Sequence, residues 1–363
     1  MTNDHIQDDN FDEDALIEEL LAVEGHDAAV VEPDLPPVDD IDIETEAARL
    51  QRKPDDNAVI RALREADEQF PGKALVDGLS DLSYEQMEAI RPTWQSVAPA
   101  IQRAIMRGLI SSAEASIHVD YRRFGIDALD GDDPRVREHA IELLWEDQSL
   151  EVMYKLIRMA EGDDNRDVRA AALSSLGRYI LMGEVGDLSP EETRNAEETV
   201  IRIWQNESSD LEVKRRALEA IANCSHEIVP HAIQQAYDNP SSEMRASAIF
   251  AIGRTADKRW QDIVMAEIDN PEPAIRYEAA RAAGELALVE SVPRLAEMTM
   301  EDDRELTLTA IWSLGEIGGR TAMQILETLI EKAEDEGDDD MIDALEDAIG
   351  NATLASELDD LDF

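Results

Sequence analysis

Three side chains that can bind metals or act as nucleophiles lie in one short stretch of the chain, Cys224, His226 and His231. A tetrahedral zinc site needs four ligands at regular spacing, and no fourth ligand accompanies these three. Cys224 is the only cysteine, so no intrachain disulfide forms, and a single cysteine at a helix end is more often inert than reactive. The sequence therefore predicts neither a metal site nor a redox site here.

Two acidic clusters, residues 162–165 and 337–340, have the composition of calcium-binding loops. Neither has the alternating acids, the central glycine and the final glutamate that a calcium loop uses. Both precede a predicted helix, and acids stabilise a helix N-terminus, so capping explains them. The sequence also contains no glycine-rich phosphate loop, no Gly-x-Ser-x-Gly and no His-Glu-x-x-His. We therefore expect a protein that is not an enzyme and holds no cofactor and no metal.

The most regular polar feature is a basic column, one residue per repeat of the chain. It consists of Arg137, Arg169, Lys214, Arg245 and Arg276. One interpretation is structural: each side chain hydrogen-bonds to a carboxylate or a carbonyl of its own or the next repeat. In the other interpretation the column lines a groove and receives an acidic peptide. The acidic ends of the chain itself would then compete for that groove.

The elements that position the column are helices that recur every 31 or 32 residues, with one interval of 45 residues. An alanine lies three positions after each basic residue, and a last repeat has an alanine at the same place. An apolar residue lies one position before each basic residue. Positions i and i+4 share one face of a helix, and a single helix pair cannot bury that face alone. Stacked repeats do bury it, which predicts an all-α solenoid of antiparallel helix pairs. The alanines are Ala140, Ala172, Ala217, Ala248, Ala279 and Ala310.

Glycine recurs five positions after four of these alanines, at Gly177, Gly253, Gly284 and Gly315. A glycine inside a helix costs roughly 1 kcal/mol, so its recurrence indicates tight helix packing or a helix end. Three steps, Asp133-Pro134, Asn239-Pro240 and Asn270-Pro271, place a capping side chain before a proline and predict helix starts.

The organisation along the chain follows from these patterns. Residues 1–56 are predicted to be an acidic disordered tail with a short amphipathic helix over 11–23. Residues 57–130 are helical, with helices predicted over 58–69, 83–90, 100–109 and 112–129, and they form either an N-terminal cap or degenerate repeats. Pro92 and Pro99 are expected to separate the second of these helices from the third. Residues 131–352 form the repeat array, with an insertion near 182–195, and residues 353–363 form a second acidic tail.

The formal net charge of −50 is concentrated at the two ends of the chain. Residues 1–57 carry 19 acidic and 3 basic side chains, and residues 331–363 carry 14 acidic and 1 basic. Such a chain repels nucleic-acid phosphate and anionic membranes, and it favours basic proteins or peptides as partners. We expect a monomer. We also expect the protein to lie in the cytoplasm, because the sequence shows no signal peptide and no apolar run long enough to span a bilayer.

A few residues are candidates for partner contacts. Arg259 and Trp260 begin a predicted helix, and exposed tryptophan and arginine are typical hot spots of protein interfaces. Phe11, Leu16 and Leu20 lie on the apolar stripe of the segment 11–23 and would dock this segment onto a partner. Trp145 and Trp312 fall on or beside the packed face and are expected in the core.

Two stretches carry a family resemblance. Residues 167–177, DVRAAALSSLG, and residues 275–285, IRYEAARAAGE, resemble HEAT repeats of the phycobilisome-lyase type, and the likeness extends over about residues 115–350. The resemblance implies an armadillo-like superhelix of the kind found in prokaryotic HEAT-repeat domain proteins. It implies a scaffold or adaptor that binds a protein or peptide on the concave surface, with a bilin-lyase-like cofactor chaperone or enzyme as the alternative. The resemblance supplies no catalytic residues.

Overall fold

The computed structural model describes residues 55–67, 72–206 and 208–359, with side chains up to Leu354. These residues form eighteen α-helices and two short 3-10 turns, and they contain no β-strand. The contacts divide the chain after Cys224, so the described residues fall into a first unit, 55–224, and a second unit, 225–359. The predicted all-α solenoid is confirmed.

In the first unit, alternate helices stack on one another. Helices α1, α3 and α5 pack in sequence, as do α2, α4, α6, α8 and α10, while α7 packs against α8 and α9. The ranges are α1 (Asp56–Glu65), α2 (Lys73–Leu79), α3 (Tyr84–Ser96), α4 (Pro99–Ala115), α5 (Arg122–Ala128), α6 (Pro134–Leu143), α7 (Leu150–Gly162), α8 (Arg166–Val185), α9 (Pro190–Gln205) and α10 (Leu211–Ile221).

The N-terminal helices of this unit differ from the expected ones. A helix over Ser112–Leu129 was expected, but α4 ends at Ala115 and α5 begins at Arg122. Helix α3 continues through Pro92 although proline was expected to interrupt it, because Ile90 and Trp94 on either side of it are buried and hold both turns in place. The layers alternate here as they do in the later repeats, although the alanine and glycine columns are missing.

The long interval in the repeat takes the form of two extended helices rather than a long loop. Helix α8 has 20 residues and α9 has 16. Gly186 ends α8 with a left-handed backbone, φ 90°, which glycine adopts without strain. Gly183 allows the two helices to cross closely, since a Cβ atom at this position would lie 2.2 Å from the Thr193 hydroxyl oxygen.

In the second unit, helices α12, α14, α16 and α18 stack in order, and α11, α13, α15 and α17 each pack against one or more of them. Helix α18 continues to Asp359, past the expected boundary at residue 352. The ranges are α11 (Val229–Tyr237), α12 (Ser242–Arg254), α13 (Gln261–Glu267), α14 (Pro273–Glu285), α15 (Val292–Met298), α16 (Arg304–Ile317), α17 (Gly319–Glu336) and α18 (Asp339–Asp359), with 3-10 turns at Lys258–Trp260 and Val289–Ser291.

The alanine and glycine columns form the contacts between stacked helices. All six alanines are completely buried. A Cβ atom added at Gly284 would lie 2.8 Å from the Ser313 Cα atom of α16, and one at Gly315 would lie 2.8 Å from the Ala348 Cα atom of α18. These positions therefore lie where neighbouring helix backbones approach closely, which confirms the tight packing predicted from the sequence.

The prediction that a helix starts at each of the three proline steps is correct at one of them and wrong at two. The Asp133 carboxylate accepts a hydrogen bond from the Val136 amide at 3.1 Å and caps α6. Asn239 and Asn270 instead accept from the amide two residues later, Ser241 and Glu272, at 2.9 Å each. Ser241 and Glu272 are therefore the N-cap residues of α12 and α14, because each asparagine forms a local turn that precedes the helix.

Among the helices of the described residues, none combines the length and the hydrophobicity that a transmembrane span requires.

Candidate functional site

The basic column begins with an ion pair that is largely shielded from solvent. Arg137 donates from Nε and Nη2 to the two carboxylate oxygens of Asp163, at 2.8 and 2.7 Å. The two side chains are 15% and 8% exposed. Arg137 Nη1 also donates to the carbonyl oxygens of Gly131 and Asp132, at 2.9 and 3.1 Å. Arg137 thus connects the start of α6 to the end of α7.

The next two members of the column contact their own unit in different ways. Arg169 donates from Nη1 to the carbonyl oxygen of Asp163 at 2.6 Å. The Lys214 ammonium group lies 5.7 Å from the centre of the Trp204 ring, within the range of a cation–π contact. Neither side chain is directed only toward solvent, so both contribute to packing within the first unit.

The last two members lie in the second unit. Arg276 donates from Nη1 to the Asn270 carbonyl oxygen at 3.1 Å, and its Nη2 lies 3.6 Å from the Glu301 carboxylate. The Nε atom of Arg245 is buried and has no hydrogen-bond partner among the residues that the structure describes. The contacts of the column as a whole favour its structural interpretation.

The residues predicted to contact a partner differ in how exposed they are in the structure. Arg259 is exposed and pairs with Asp257 of the same turn. Trp260 is only 9% exposed, so the expectation of an exposed anchor is wrong: the 3-10 turn directs its indole into the core of the second unit. The remaining candidates, Phe11, Leu16 and Leu20, lie outside the described residues.

Trp145 was expected in the core, and this expectation is also wrong. Helix α6 ends at Leu143, so Trp145 lies in the turn beyond it and is 46% exposed. The Arg178 guanidinium lies 5.3 Å from the centre of its ring. Trp312, by contrast, is half-buried and lines a pocket in the second unit.

The thiol of Cys224 and the imidazole of His226 take part in local hydrogen bonds. Cys224 Sγ donates to the Ile221 carbonyl oxygen at 3.2 Å, and His226 Nδ1 accepts from the Ile228 amide at 3.1 Å. His231 is exposed. Within residues 55–67, 72–206 and 208–359, no group of three or more His, Cys, Asp or Glu side chains is arranged to hold a metal ion.

A pocket of about 500 Å³ lies in the second unit, on helices α12, α14 and α16. Its walls combine aromatic and apolar side chains with two arginines and two carboxylates, of which Glu285 is buried and Glu305 is exposed. We call it the α14 pocket, because α14 packs between the other two helices in the stack. The residues that define it are Arg254, Tyr277, Arg281, Glu285, Glu305, Leu308, Thr309 and Trp312.

The residues of the α14 pocket hold fixed places in the repeat. Tyr277 and Leu308 precede a column alanine by two positions, and Trp312 follows one by two. At 3.6 residues per turn, two positions is more than half a turn, so these side chains face away from the buried stripe. The repeat alignment shows that these positions lie outside the buried stripe, although it does not show that they meet in one pocket; the buried columns alone led to the assignment of Trp312 to the core.

Glu285 organises the charged side of the pocket. Its Oε1 atom lies 3.1 Å from Arg254 Nη2 and 3.2 Å from Arg281 Nη2, and its side chain is only 8% exposed. Its Oε2 atom is buried without a hydrogen-bond partner among the described residues. A Cβ atom at position 253 would lie 2.0 Å from Oε2, so Gly253 leaves the space that this carboxylate occupies.

The stability of the protein should therefore depend on the protonation of Glu285. Burial raises the pKa of this carboxyl above its ordinary value of 4.5, despite the opposing attraction of Arg281 and Arg254. A raised pKa in the folded state stabilises the fold below the ordinary value, and this contribution is lost as the pH rises through the raised pKa. We expect the free energy of unfolding of the wild type, relative to Glu285→Gln, to fall as the pH rises above 4.5.

Urea unfolding of the wild type and of Glu285→Gln, in steps from about pH 4 to about pH 7, measures this difference directly. The comparison cancels the titration of the other carboxylates, which both proteins share. A difference that stays constant with pH, or that grows in favour of the wild type, would contradict the prediction.

Comparison with known proteins agrees with this architecture. The family model for HEAT repeats matches residues 125–194, 229–308 and 263–346, which together cover more than half of the 363 residues. The matched ranges include five of the six column alanines, all except Ala217, and the helices that form the α14 pocket. Comparison with curated protein sequences gave no significant match.

Several solved structures have a similar arrangement of helices. The complex of CpcE and CpcF of phycocyanin lyase from Nostoc sp. PCC7120 is 16% identical, with a TM-score of 0.44, covering 64% of this chain and 94% of that one. YibA from E. coli is 17% identical, with a TM-score of 0.38, covering 83% and 97%. Importin beta is 14% identical, with a TM-score of 0.40, covering 82% of this chain and 46% of that one.

The family match rests on the residues that bury the repeats against one another. Each matched range contains the apolar, basic and alanine positions of at least one repeat, and in the structure these positions lie on helices stacked in order. The chain therefore belongs to the HEAT-repeat family.

Proposed function

We propose that this protein is a non-catalytic scaffold or adaptor that binds a protein or peptide through the α14 pocket. The observation that carries the proposal is the convergence of Tyr277, Leu308 and Trp312 with two arginines in one pocket of about 500 Å³. Tyrosine, tryptophan and arginine dominate the binding energy of protein interfaces, most of all in partly enclosed pockets. The described residues that line this pocket include neither cysteine nor histidine, which supports binding rather than catalysis.

Electrostatics supports the choice of a protein partner. The net charge of −50 creates a field that opposes nucleic acids and anionic membranes and attracts basic proteins over long range. The same charge opposes close contact between two copies, which supports a monomer. At short range, the rings of Tyr277 and Trp312 would contact apolar side chains of the partner, and the arginines would set its orientation.

A photo-crosslinking amino acid tests the proposal at the site itself. With p-benzoylphenylalanine in place of Leu308, irradiation of the cells that produce the protein should yield a discrete adduct with a second protein. The adduct should decrease about tenfold or more when Trp312→Ala is introduced, because hot-spot residues contribute about 2 kcal/mol or more. Immunoblotting and mass spectrometry of the adduct measure both effects.

The same amino acid in place of Val289, which is 67% exposed on a 3-10 turn of the second unit, is the matched control. No intermolecular adduct from position 308, or the same adducts from positions 308 and 289, would count against a docking role for the α14 pocket. A circular dichroism spectrum of Trp312→Ala, unchanged from the wild type, shows that a lost adduct does not reflect unfolding.

A further inference from the structure

An exposed tryptophan of the first unit is held in place from one side. Trp145 is 46% exposed, and the Arg178 guanidinium lies 5.3 Å from the centre of its ring and 5.2 Å from that of the buried Tyr179. Arg178 Nη2 also donates to the Asp147 carbonyl oxygen at 2.9 Å, which fixes the guanidinium beside the indole. The first unit therefore orients the Trp145 ring, while the exposed part of the ring stays accessible to a partner.

Helix α8 continues the apolar surface beyond Arg178. It has 20 residues, whereas the helices stacked on either side of it, α6 and α10, have 10 and 11. Its extension carries Leu181 and Val185, three and seven positions after Arg178, so the three side chains lie on one face of the helix. Leu181 is 38% exposed and Val185 is 62% exposed. The extension thus presents an apolar face that the repeat stack does not bury. With Trp145, these three residues form what we call the Trp145 surface.

The neighbours of the Trp145 surface along the chain are acidic. Glu142 and Glu146 precede and follow Trp145, and Glu184 and Asp187 flank Val185; all four are exposed. Within the part of the chain that the structure describes, neither Glu142 nor Glu146 forms an ion pair.

The basic side chains at the Trp145 surface do not offset these acids. Arg178 is a single, half-buried cation. Arg122 is paired with the Asp147 carboxylate at 2.6 Å and with Glu151 at 3.2 Å, so its charge is already neutralised. The Trp145 surface and its flanks are therefore net negative as well as apolar.

We propose that the Trp145 surface binds a basic amphipathic helix of a partner protein. Apolar side chains of that helix contact Trp145, Leu181 and Val185, and its lysine or arginine side chains pair with Glu142 and Glu146. From position 178 to position 185, α8 extends over about 10 Å, which accommodates about two turns of a helix laid alongside it. This inference goes beyond the proposed function, because the Trp145 surface belongs to the first unit and shares no residue with the α14 pocket.

Charge complementarity selects a basic helix over other occupants. The net charge of −50 attracts a basic segment over long range, and the flanking carboxylates hold it at short range. A second copy of the chain would bring another net charge of −50, which opposes the encounter. The phosphates of a nucleic acid are repelled for the same reason. The apolar contacts then supply specificity, because an oriented tryptophan is a typical hot spot of a protein interface.

A synthetic amphipathic peptide of leucine and lysine tests the Trp145 surface. The peptide has about four helical turns, with leucines at the i, i+3, i+4 and i+7 spacing of one helix face. Fluorescence anisotropy of the labelled peptide, at physiological salt, should give saturable binding to the full-length protein. Trp145→Ala, which changes no charge, should weaken binding about tenfold or more, the loss expected for a hot-spot residue. Trp145→Phe, which keeps an aromatic ring, should recover part of that loss.

Two further variants test the apolar face and the acidic flanks separately. Leu181→Ser with Val185→Ser should weaken binding about tenfold, because both side chains then lose their apolar contact with the peptide. Glu142→Gln with Glu146→Gln should weaken binding and make it less sensitive to added salt, because exposed ion pairs are screened by salt. A peptide with glutamate in place of every lysine should not bind.

Matched controls separate this surface from the rest of the protein. Trp312→Ala removes the tryptophan of the α14 pocket and should leave peptide binding unchanged. Glu243→Gln with Asp262→Asn removes two exposed acids from the second unit, and it should weaken binding far less than Glu142→Gln with Glu146→Gln. A circular dichroism spectrum unchanged from the wild type shows that a variant with weaker binding is folded.

Several results would overturn the inference. They are the absence of saturable binding, equal binding by the wild type and Trp145→Ala, binding of the glutamate peptide, and a loss with either control as large as with the test variants. A loss with Trp312→Ala in place of Trp145→Ala would assign the peptide to the α14 pocket and reject the Trp145 surface. The proposed function fails by a different result, the absence of an adduct from position 308 in the second unit.

Discussion

Asp163→Ala is expected to lower the free energy of unfolding by about 3–5 kcal/mol, because it leaves the buried Arg137 guanidinium without its carboxylate. The pair is bidentate, at 2.7 and 2.8 Å, and both side chains are largely buried. Asp163 also accepts a hydrogen bond from the Asn165 amide at 2.9 Å, just before α8 begins. Its removal therefore affects the junction between α7 and α8 as well as the start of α6. Urea unfolding monitored by circular dichroism measures the loss.

A second bidentate pair provides a matched control with different exposure. Arg304 donates to the two carboxylate oxygens of Asp338 at 2.7 and 3.0 Å, but the side chains are 51% and 33% exposed. Exposed pairs contribute about 0–1 kcal/mol, so Arg304→Ala should cost far less than Asp163→Ala. Equal losses would show that burial does not decide the strength of these pairs. A loss below 1 kcal/mol for Asp163→Ala would reject the structural interpretation of the basic column at Arg137.

Gly284→Ala is expected to destabilise the second unit although alanine is the better helix former. The added Cβ atom would lie 2.8 Å from the Ser313 Cα atom, and a backbone atom cannot move aside as a flexible side chain can. Overpacking of this kind costs about 1–3 kcal/mol, which more than offsets the gain of about 0.5–1 kcal/mol in helix propensity. Gly315→Ala should behave alike, because its Cβ atom would meet the Ala348 Cα atom at 2.8 Å. The thermal midpoint should fall in both variants.

Gly350→Ala is the control for this prediction. Gly350 lies inside α18, and a Cβ atom there would have no neighbour within 4 Å. Only the propensity term remains, so this substitution should stabilise the protein by about 0.5–1 kcal/mol. The two kinds of glycine should thus respond with opposite signs. If Gly284→Ala raised the thermal midpoint as Gly350→Ala does, close helix approach would not explain the glycine column.

The glycines of one column differ in what surrounds them, and this difference shows what a repeat pattern can and cannot predict. Gly284 and Gly315 recur at a fixed distance from a column alanine, and that recurrence indicated a tight contact. Gly253 has the same place in its repeat, yet the nearest atom to its missing Cβ is Glu285 Oε2, a side chain that shapes a pocket. One column therefore serves both packing and the candidate site.

The sequence by itself determined the class of fold and the residues that bury the repeats. Those features are periodic, and periodicity is visible in one dimension because every repeat places the same positions in the core. It also determined the charge, which restricts the partners. It did not determine the helices of residues 57–130, where the columns are missing, or the burial of Trp260, which depends on a single 3-10 turn.

Only the tertiary structure decided where the α14 pocket forms. The walls of the α14 pocket come from three helices in successive repeats, so no pattern within a single short segment of the sequence predicts the pocket. Glu285 acquires its raised pKa from burial. It pairs with Arg281 of its own helix, and it reaches Arg254 of α12 only because α12 and α14 stack. Side chains that pack the helices repeat in the sequence, whereas the side chains that line the pocket differ from one repeat to the next. That is the physical reason why the fold could be read from the sequence and the site could not.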